Sequence, residues 1–257
     1  MDCVVVAGGR PTVDDPLYPF TQGKPKALLE IAGRPLIDYV LAALLDAHAI
    51  DHIVVVGLDE DLTLTYGPSV QAMTDRGGMV ANGLAGLAQI QARQPATRHV
   101  LFTSADIPAV TGPTVDALVA DCQPFDHCAY YFMVERQLME SHYPGSNRTY
   151  VPLKDLQIAG ADMFVADAAL ADGNSQLLMD LTAGRKHAWK LARLVGPATL
   201  LRLWLRRLTL SGIEHRAEAV LGSPVSIRLT GFPQLAMDVD KPEQLFLMRN
   251  LLSGMAA

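Results

Sequence analysis

The segment that decides the fold reads Val4-Val5-Val6-Ala7-Gly8-Gly9-Arg10, and Gly23-Lys24-Pro25-Lys26-Ala27-Leu28 follows it closely. The three valines are β-branched and do not alternate with polar residues, which is typical of a strand buried on both faces of a sheet. The paired glycines lack the Cβ atoms that would keep a phosphate away from the main chain, so backbone N–H groups can point at anionic oxygens. Lys26, with Lys24 or Arg10, supplies positive charge. The segment therefore predicts a phosphate site, although a glycine turn after a buried strand is also common in α/β proteins that bind no phosphate.

Two familiar phosphate motifs do not fit this segment. The sequence has no Gly-x-x-x-x-Gly-Lys-Ser/Thr, which disfavours a P-loop, and Ala-Gly-Gly-Arg is not the Gly-x-Gly-x-x-Gly of dinucleotide-binding proteins. A third way of binding phosphate is therefore needed.

Strand and helix patterns alternate after the turn. A helical stripe runs from Leu36 to Leu45 behind Pro35, and Ile53–Val56 is a second apolar strand. Alternation of this kind predicts right-handed βαβ units in a layered α/β/α domain. A length of 257 residues, half of them apolar, allows one large domain with a sizeable core.

Net charge, cysteine content and the lack of long apolar runs disfavour several classes of protein. A net charge of −6 argues against broad nucleic-acid binding. Cys3, Cys122 and Cys128 form no Cys-x-x-Cys pair and leave an odd thiol, which suits a reducing cytosol and argues against zinc. Met1-Asp2 leads directly into a strand without a signal peptide, and no apolar run reaches the ~20 residues of a membrane span. We expect a cytoplasmic protein.

A second landmark is the run Val100-Leu101-Phe102-Thr103-Ser104-Ala105-Asp106-Ile107-Pro108. Its strand delivers the carboxylate of Asp106 to the carboxyl edge of the sheet, where open α/β sheets bind ligands. Mg²⁺ commonly takes one or two carboxylates together with phosphate oxygens. Asp106 is therefore a candidate metal ligand, and the alternative is a structural aspartate that closes a strand.

A glycine-rich helix start, Gly77–Leu84, contains Asn82 and Gly83. Backbone amides at such a start can meet a phosphate or the polar edge of a base. A plain loop with an Asn/Gly cap explains the same residues.

Together these motifs resemble the nucleotidyltransferases with a GT-A-like fold. Val-Ala-Gly-Gly, followed by Pro25-Lys26-Ala27-Leu28-Leu29-Glu30-Ile31-Ala32-Gly33-Arg34-Pro35-Leu36-Ile37, is similar to their N-terminal signature. They include molybdenum-cofactor guanylyltransferases, sugar-1-phosphate nucleotidylyltransferases and cytidylyltransferases. The resemblance implies a three-layer, Rossmann-like domain over residues 1–257 with a mixed, mostly parallel sheet. It implies nucleotide binding by Ala7, Gly8, Gly9, Arg10, Lys26, Asn82 and Gly83.

The sequence departs from these families in two places. Their glycine turn usually continues as Gly-x-Gly-x-Arg or Gly-Gly-x-Ser-x-Arg, whereas here Arg10 follows at once and Pro11–Gln22 intervenes before Lys26. The cytidylyltransferases of isoprenoid synthesis carry Ser-Val-x-Asn-Gly-Leu where this chain has Met79–Leu84 without the serine, so base specificity does not carry over.

The resemblance also implies metal and acceptor residues. Asp106-Ile107-Pro108 is similar to the Asp-x-Pro element, and Val239-Asp240-Lys241-Pro242-Glu243 is similar to the Val-Asp-Thr-Pro-Glu element that supplies a second metal ligand. Asp240 is the expected Mg²⁺ partner of Asp106, with Asp238 as the alternate because alternation along a strand would give both the same face. Asp240 and Glu243 also form a capping-box pattern, which explains them without a metal. Asp162 lies where related enzymes form the acceptor pocket.

A basic segment stands outside the resemblance. Residues 181–213 contain seven Lys or Arg and no acidic residue, within an expected helical insertion at about 176–222. Three explanations stay open: arginine stems that cover the domain edge, a site for a phosphorylated acceptor, or peripheral contact of residues 185–207 with an anionic membrane.

The sequence thus predicts a Mg²⁺-dependent nucleotidyltransferase that moves an NMP group from an NTP to a phosphorylated small-molecule acceptor, with Lys26 and Asp106 as catalytic residues and Asp106 and Asp240 on the metal. The alternatives are a GT-A-like glycosyltransferase, which the lack of Asp-x-Asp at Asp106 disfavours, and a nucleotide-binding module without catalysis.

Overall fold

The computed structural model describes residues 1–58, 66–171 and 196–255. Its strands are, in chain order, β1 Asp2–Val6, β2 Glu30–Ile31, β3 Arg34–Pro35, β4 His52–Val56, β5 Val70–Met73, β6 His99–Ser104, β7 Ala129–Glu135, β8 Val151–Pro152, β9 Gln157–Asp167 and β10 Val225–Leu229. Its helices are α1 Tyr18–Thr21, α2 Leu36–Asp46, α3 Met79–Arg93, α4 Gly112–Asp121, α5 Arg136–His142, α6 Pro197–Trp204, α7 Leu210–Leu221 and α8 Pro242–Met255.

One mixed sheet forms the centre of the molecule, in the order β10-β7-β9-β6-β1-β4-β5, with β8 paired to β9. The pairs of β1 with β4 and β6, of β4 with β5 and of β7 with β10 are parallel. β9 runs antiparallel to its neighbours. The prediction of a mixed, mostly parallel sheet is confirmed.

The first strand is buried on both faces, as its unbroken valine run predicts. Cys3 and Val5 point into a core shared with α2 and α4, whereas Val4 packs against α3 on the other face. A Cβ on Gly86 of α3 would lie only 2.6 Å from a methyl of Val4, so this glycine lets the helix approach the sheet. Helices therefore cover both faces, and the predicted α/β/α layering is confirmed.

The predicted capping box is wrong for Glu243. The backbone N–H of Asp240 donates to the Gln244 side chain and not to that of Glu243, and Lys241 N donates to the same Gln244 oxygen, both at 2.8 Å.

The expected insertion is helical where the structure describes it. Residues 176–195 lie outside the described residues, and α6 and α7 occupy most of the remainder of 176–222. Among the described residues, no helix is both long enough and apolar enough to cross a bilayer.

Candidate nucleotide and metal site

The glycine turn after β1 is held against the next strand along the sheet. Ala7 N donates to Val56 O at 2.8 Å, and a Cβ on Gly57 would lie 2.1 Å from Gly8 N. A Cβ on Gly8 would in turn lie 2.5 Å from the Asn82 amide. Since Gly57 also has a φ of +120°, only glycine fits there without strain. The turn is a fixed backbone platform at the carboxyl edge of the sheet.

Lys26 belongs to this platform despite the insert that precedes it. Its backbone N–H donates to Gly9 O at 2.8 Å, so Pro11–Gln22 loops out and returns the chain to the glycine turn. Arg10, by contrast, is exposed on the rim of the turn. The basic side chain that the described structure brings into the centre of the site is therefore Lys26.

The side chain of Lys26 lies between two carboxylates from distant parts of the sequence. Its ammonium forms ion pairs with Asp106, which follows β6, and with Asp240, which precedes α8. Backbone bonds fix this arrangement, because Val239 N donates to Asp106 O at 3.0 Å and Ala105 N donates to Val6 O at 3.2 Å. Burial lowers the pKa of Lys26, but the two carboxylates outweigh it and raise the pKa above its usual value, so the lysine is charged at neutral pH.

The donor set suits a divalent cation that arrives with phosphate. Asp106 is buried, and its Oδ1 accepts no hydrogen bond from the part of the chain that the structure describes. Within that same part, no group of three or more His, Cys, Asp or Glu side chains forms a ready-made metal cage. Two carboxylates completed by phosphate oxygens and water are the usual Mg²⁺ arrangement, so Asp106 and Asp240 fit Mg²⁺ bound with a nucleotide.

Asp238 lies differently from Asp240. Residues 237–240 are not part of a strand. Asp238 is buried and forms an ion pair with Arg148. The expected alternate role of Asp238 as a ligand beside Asp106 therefore competes with this ion pair.

Asp162, on β9, completes a cluster of four carboxylates and two basic residues: Lys26, Asp106, Arg148, Asp162, Asp238 and Asp240. Arg148 donates to the Asp162 carboxylate and to Gly160 O, both at 3.2 Å. Burial and the negative charges of Asp106 and Asp240 raise the pKa of Asp162, whereas the positive charges of Arg148 and Lys26 lower it. The net result is a pKa of about 7. The cluster thus carries more negative than positive charge, which favours a bound cation.

Asn82 supports the glycine turn from the other side. It is buried, its side-chain oxygen accepts from Arg76 N at 2.7 Å, and its amide donates to Asp75 at 2.8 Å. These bonds hold the loop before α3 beside Gly8. A Cβ on Gly83 would lie 3.9 Å from the ring of Phe102, so that side of Gly83 faces the sheet. Direct contact of either residue with a nucleotide stays a prediction.

Removal of Arg148 tests the buried ion pairs. Because Arg148→Met would leave Asp238 buried without a counter-charge, we expect the free energy of unfolding to fall by about 3 kcal/mol. Asp238→Asn in the same chain should recover part of this loss. Denaturant unfolding measures both. The matched control is Arg98→Met, since the exposed pair of Arg98 with Asp167 should contribute under about 1 kcal/mol. Equal losses for the two arginines would contradict a special role for Arg148.

Arg148, Asp75 and Gly57 were not found from the sequence. Arg148 is a single basic residue in a loop, where no periodic pattern marks burial, and Asp75 and Gly57 follow short strands as ordinary turn residues. For Gly57 the signal was its place directly after an apolar strand, at the position where the glycine turn begins after β1.

Comparison with known proteins identifies one family and one solved structure whose sequence is similar to this chain over most of its length. The model of one protein family, described as a MobA-like NTP transferase domain, matches residues 3–193. A solved structure described as a hypothetical transferase from Thermus thermophilus is 32% identical, with a TM-score of 0.79 over 95% of this chain and 98% of the Thermus chain. No curated protein sequence matches.

More distant structures share the fold. A CMP:2-keto-3-deoxy-manno-octonic acid synthetase complexed with CTP has a TM-score of 0.60 at 13% identity, over 98% of both chains. A 4-diphosphocytidyl-2C-methyl-D-erythritol synthase from Anaerococcus prevotii has a TM-score of 0.57 at 11% identity, over 98% of this chain and 95% of its own. At these identities the likeness establishes the fold alone.

Proposed function

The chain belongs to the family of MobA-like NTP transferase domains, and on that premise we propose that it transfers an NMP group from an NTP to a phosphorylated small-molecule acceptor with release of pyrophosphate. The observation that carries this proposal is the position of Lys26, which its backbone ties to Gly9 and its side chain ties to Asp106 and Asp240. The glycine turn, the basic side chain of Lys26 and the carboxylates of Asp106 and Asp240 therefore lie next to one another.

The protein residues act by position and charge. The glycine turn offers close backbone approach to the nucleotide, and Asp106 and Asp240 would hold Mg²⁺. When bound, this ion supplies charge neutralisation and orientation for the phosphates. Lys26 forms ion pairs with both carboxylates in the chain alone, and we expect its ammonium to turn towards the α-phosphate when a nucleotide and a cation occupy the site.

The reaction needs no protein nucleophile. An oxygen of the acceptor phosphate forms a bond to the α-phosphorus, the bond from that phosphorus to the bridging oxygen of the β-phosphate breaks, and pyrophosphate leaves with that electron pair. A phosphate dianion is already nucleophilic once its charge is screened, so alignment and electrostatic stabilisation supply most of the rate. Asp162 and Arg148 lie beside the metal carboxylates on β9 and its approach loop, which supports an acceptor-side location for both.

Thermal stabilisation by each of the four NTPs, with Mg²⁺ and with a chelator, tests the proposal. A ligand that binds only the folded state raises the melting temperature, so the preferred base appears before any acceptor is known. We expect a Mg²⁺-dependent rise with one NTP, followed by pyrophosphate release when phosphorylated acceptors are added. A rise with nucleotide sugars alone would favour a glycosyltransferase, and nucleotide binding without pyrophosphate release from any acceptor would favour a binding module.

A further inference from the structure

The short helix α6 presents apolar side chains to solvent. Leu201, Trp204 and Leu205 are 54%, 79% and 45% exposed, and their spacing of three and four residues places them on one side of the helix. Isolated exposed leucines are ordinary, but a largely exposed tryptophan beside two of them is a contiguous apolar patch. We name these three residues the α6 apolar face.

The opposite side of this segment is fixed to the domain. Leu203 and Leu208 pack with Leu153 and Ile158 at the β8–β9 hairpin. Lys154 N also donates to Leu208 O at 2.9 Å. The α6 apolar face is therefore held outward by a packed anchor.

The formal charges within residues 196–213 are all positive, and Glu135, Glu140 and Asp155 line the cavity that Arg206 also lines. Arg202, Arg206 and Arg207 are all exposed, and residues 196–213 contain no Asp or Glu. The chain as a whole has a net charge of −6. A basic segment in an acidic protein thus surrounds an outward apolar face, which is the composition of helices that lie in the interface of an anionic bilayer.

We propose that α6 docks this protein on an anionic membrane surface, with the α6 apolar face at the level of the acyl boundary and the three arginines at the lipid headgroups. The anchor lies on the hairpin that leads into β9, the strand that carries Asp162. The proposal is independent of the chemistry in the site, because it depends only on the surface of α6.

Sedimentation with lipid vesicles tests this docking in the full chain. We expect binding to vesicles of phosphatidylcholine mixed with phosphatidylglycerol, little binding to phosphatidylcholine alone, and release at high salt because surface attraction is screened. Trp204→Ser should weaken partitioning about tenfold or more, and Arg202→Gln about fivefold. Leu45→Ser and Arg98→Gln, which alter exposed residues outside the basic segment, are the matched controls and should bind as wild type.

Fluorescence gives a second readout. The chain has two tryptophans, Trp189 and Trp204, so a Trp189→Phe background leaves Trp204 as the reporter. Its emission should shift to the blue with anionic vesicles only. Absence of binding at low salt, or equal binding by Trp204→Ser, would overturn the proposal. A concentration-dependent dimer that Trp204→Ser abolishes would also overturn it and assign the face to a second copy of the chain.

Discussion

We expect Asp106→Asn to yield a folded protein whose pyrophosphate release is slower by about 1,000-fold or more, since one neutral amide cannot replace a carboxylate on a divalent cation. The substitution keeps the shape of a buried side chain and removes a negative charge from a cluster with an excess of them. The fold should therefore survive. Single-turnover rates at saturating NTP and Mg²⁺ measure the effect, and the melting temperature verifies folding.

The matched control for this prediction is Asp121→Asn. Asp121 is an exposed aspartate at the C-terminal end of α4 and is not one of the six residues of the cluster. It should retain the wild-type rate. If folded Asp106→Asn also retained that rate, Asp106 would have no part in the reaction, and a structural aspartate that closes β6 would be the correct interpretation.

We expect Lys26→Met to lower turnover by about 100-fold or more, because it removes the positive charge that the glycine turn places against the phosphates. The same change separates two roles of the lysine. Without its ammonium, Asp106 and Asp240 face each other unscreened, so the free energy of unfolding should fall by about 1–3 kcal/mol.

Lys26→Met should lower stability and turnover but strengthen the binding of a divalent cation to the site. Lys26 occupies the carboxylates in the chain alone, so its removal should let Mg²⁺ without nucleotide stabilise Lys26→Met more than it stabilises wild type. A Mg²⁺ titration followed by melting temperature measures this difference without any turnover. Lys154→Met, at an exposed lysine on the hairpin, is the control. Equal Mg²⁺ stabilisation of Lys26→Met and wild type would contradict competition between lysine and cation.

These experiments also bear on the order of events at the site. If the lysine and a cation compete for the same carboxylates, nucleotide must supply the phosphates that accept the lysine as the cation arrives. Mg²⁺ and NTP would then bind with positive coupling, and each would raise the affinity of the other by the same factor.

The fold was accessible from the sequence because its signals are local. Local sequence patterns predict the secondary structure and burial of the main elements. These patterns are the unbroken valines of β1 and β4, the apolar stripe of α2 and the apolar strand before Asp106. Their order along the chain then selects a layered α/β/α domain. The glycine turn and Asp106 were predicted in the same way, since each follows a recognisable strand, whereas the predicted role of Asp240 came from the resemblance of its segment to a family motif.

What only the tertiary structure decided is which of these groups face one another. Lys26 meets Asp240 across 214 residues of sequence, and Arg148 meets Asp238, through backbone bonds such as that of Val239 to Asp106 that no local pattern encodes. Asp238 and Asp240 form ion pairs with different basic residues, Arg148 and Lys26, although they are only two positions apart. Local propensity is set by neighbours in sequence, whereas the pairing of charges is set by packing and desolvation in the completed fold.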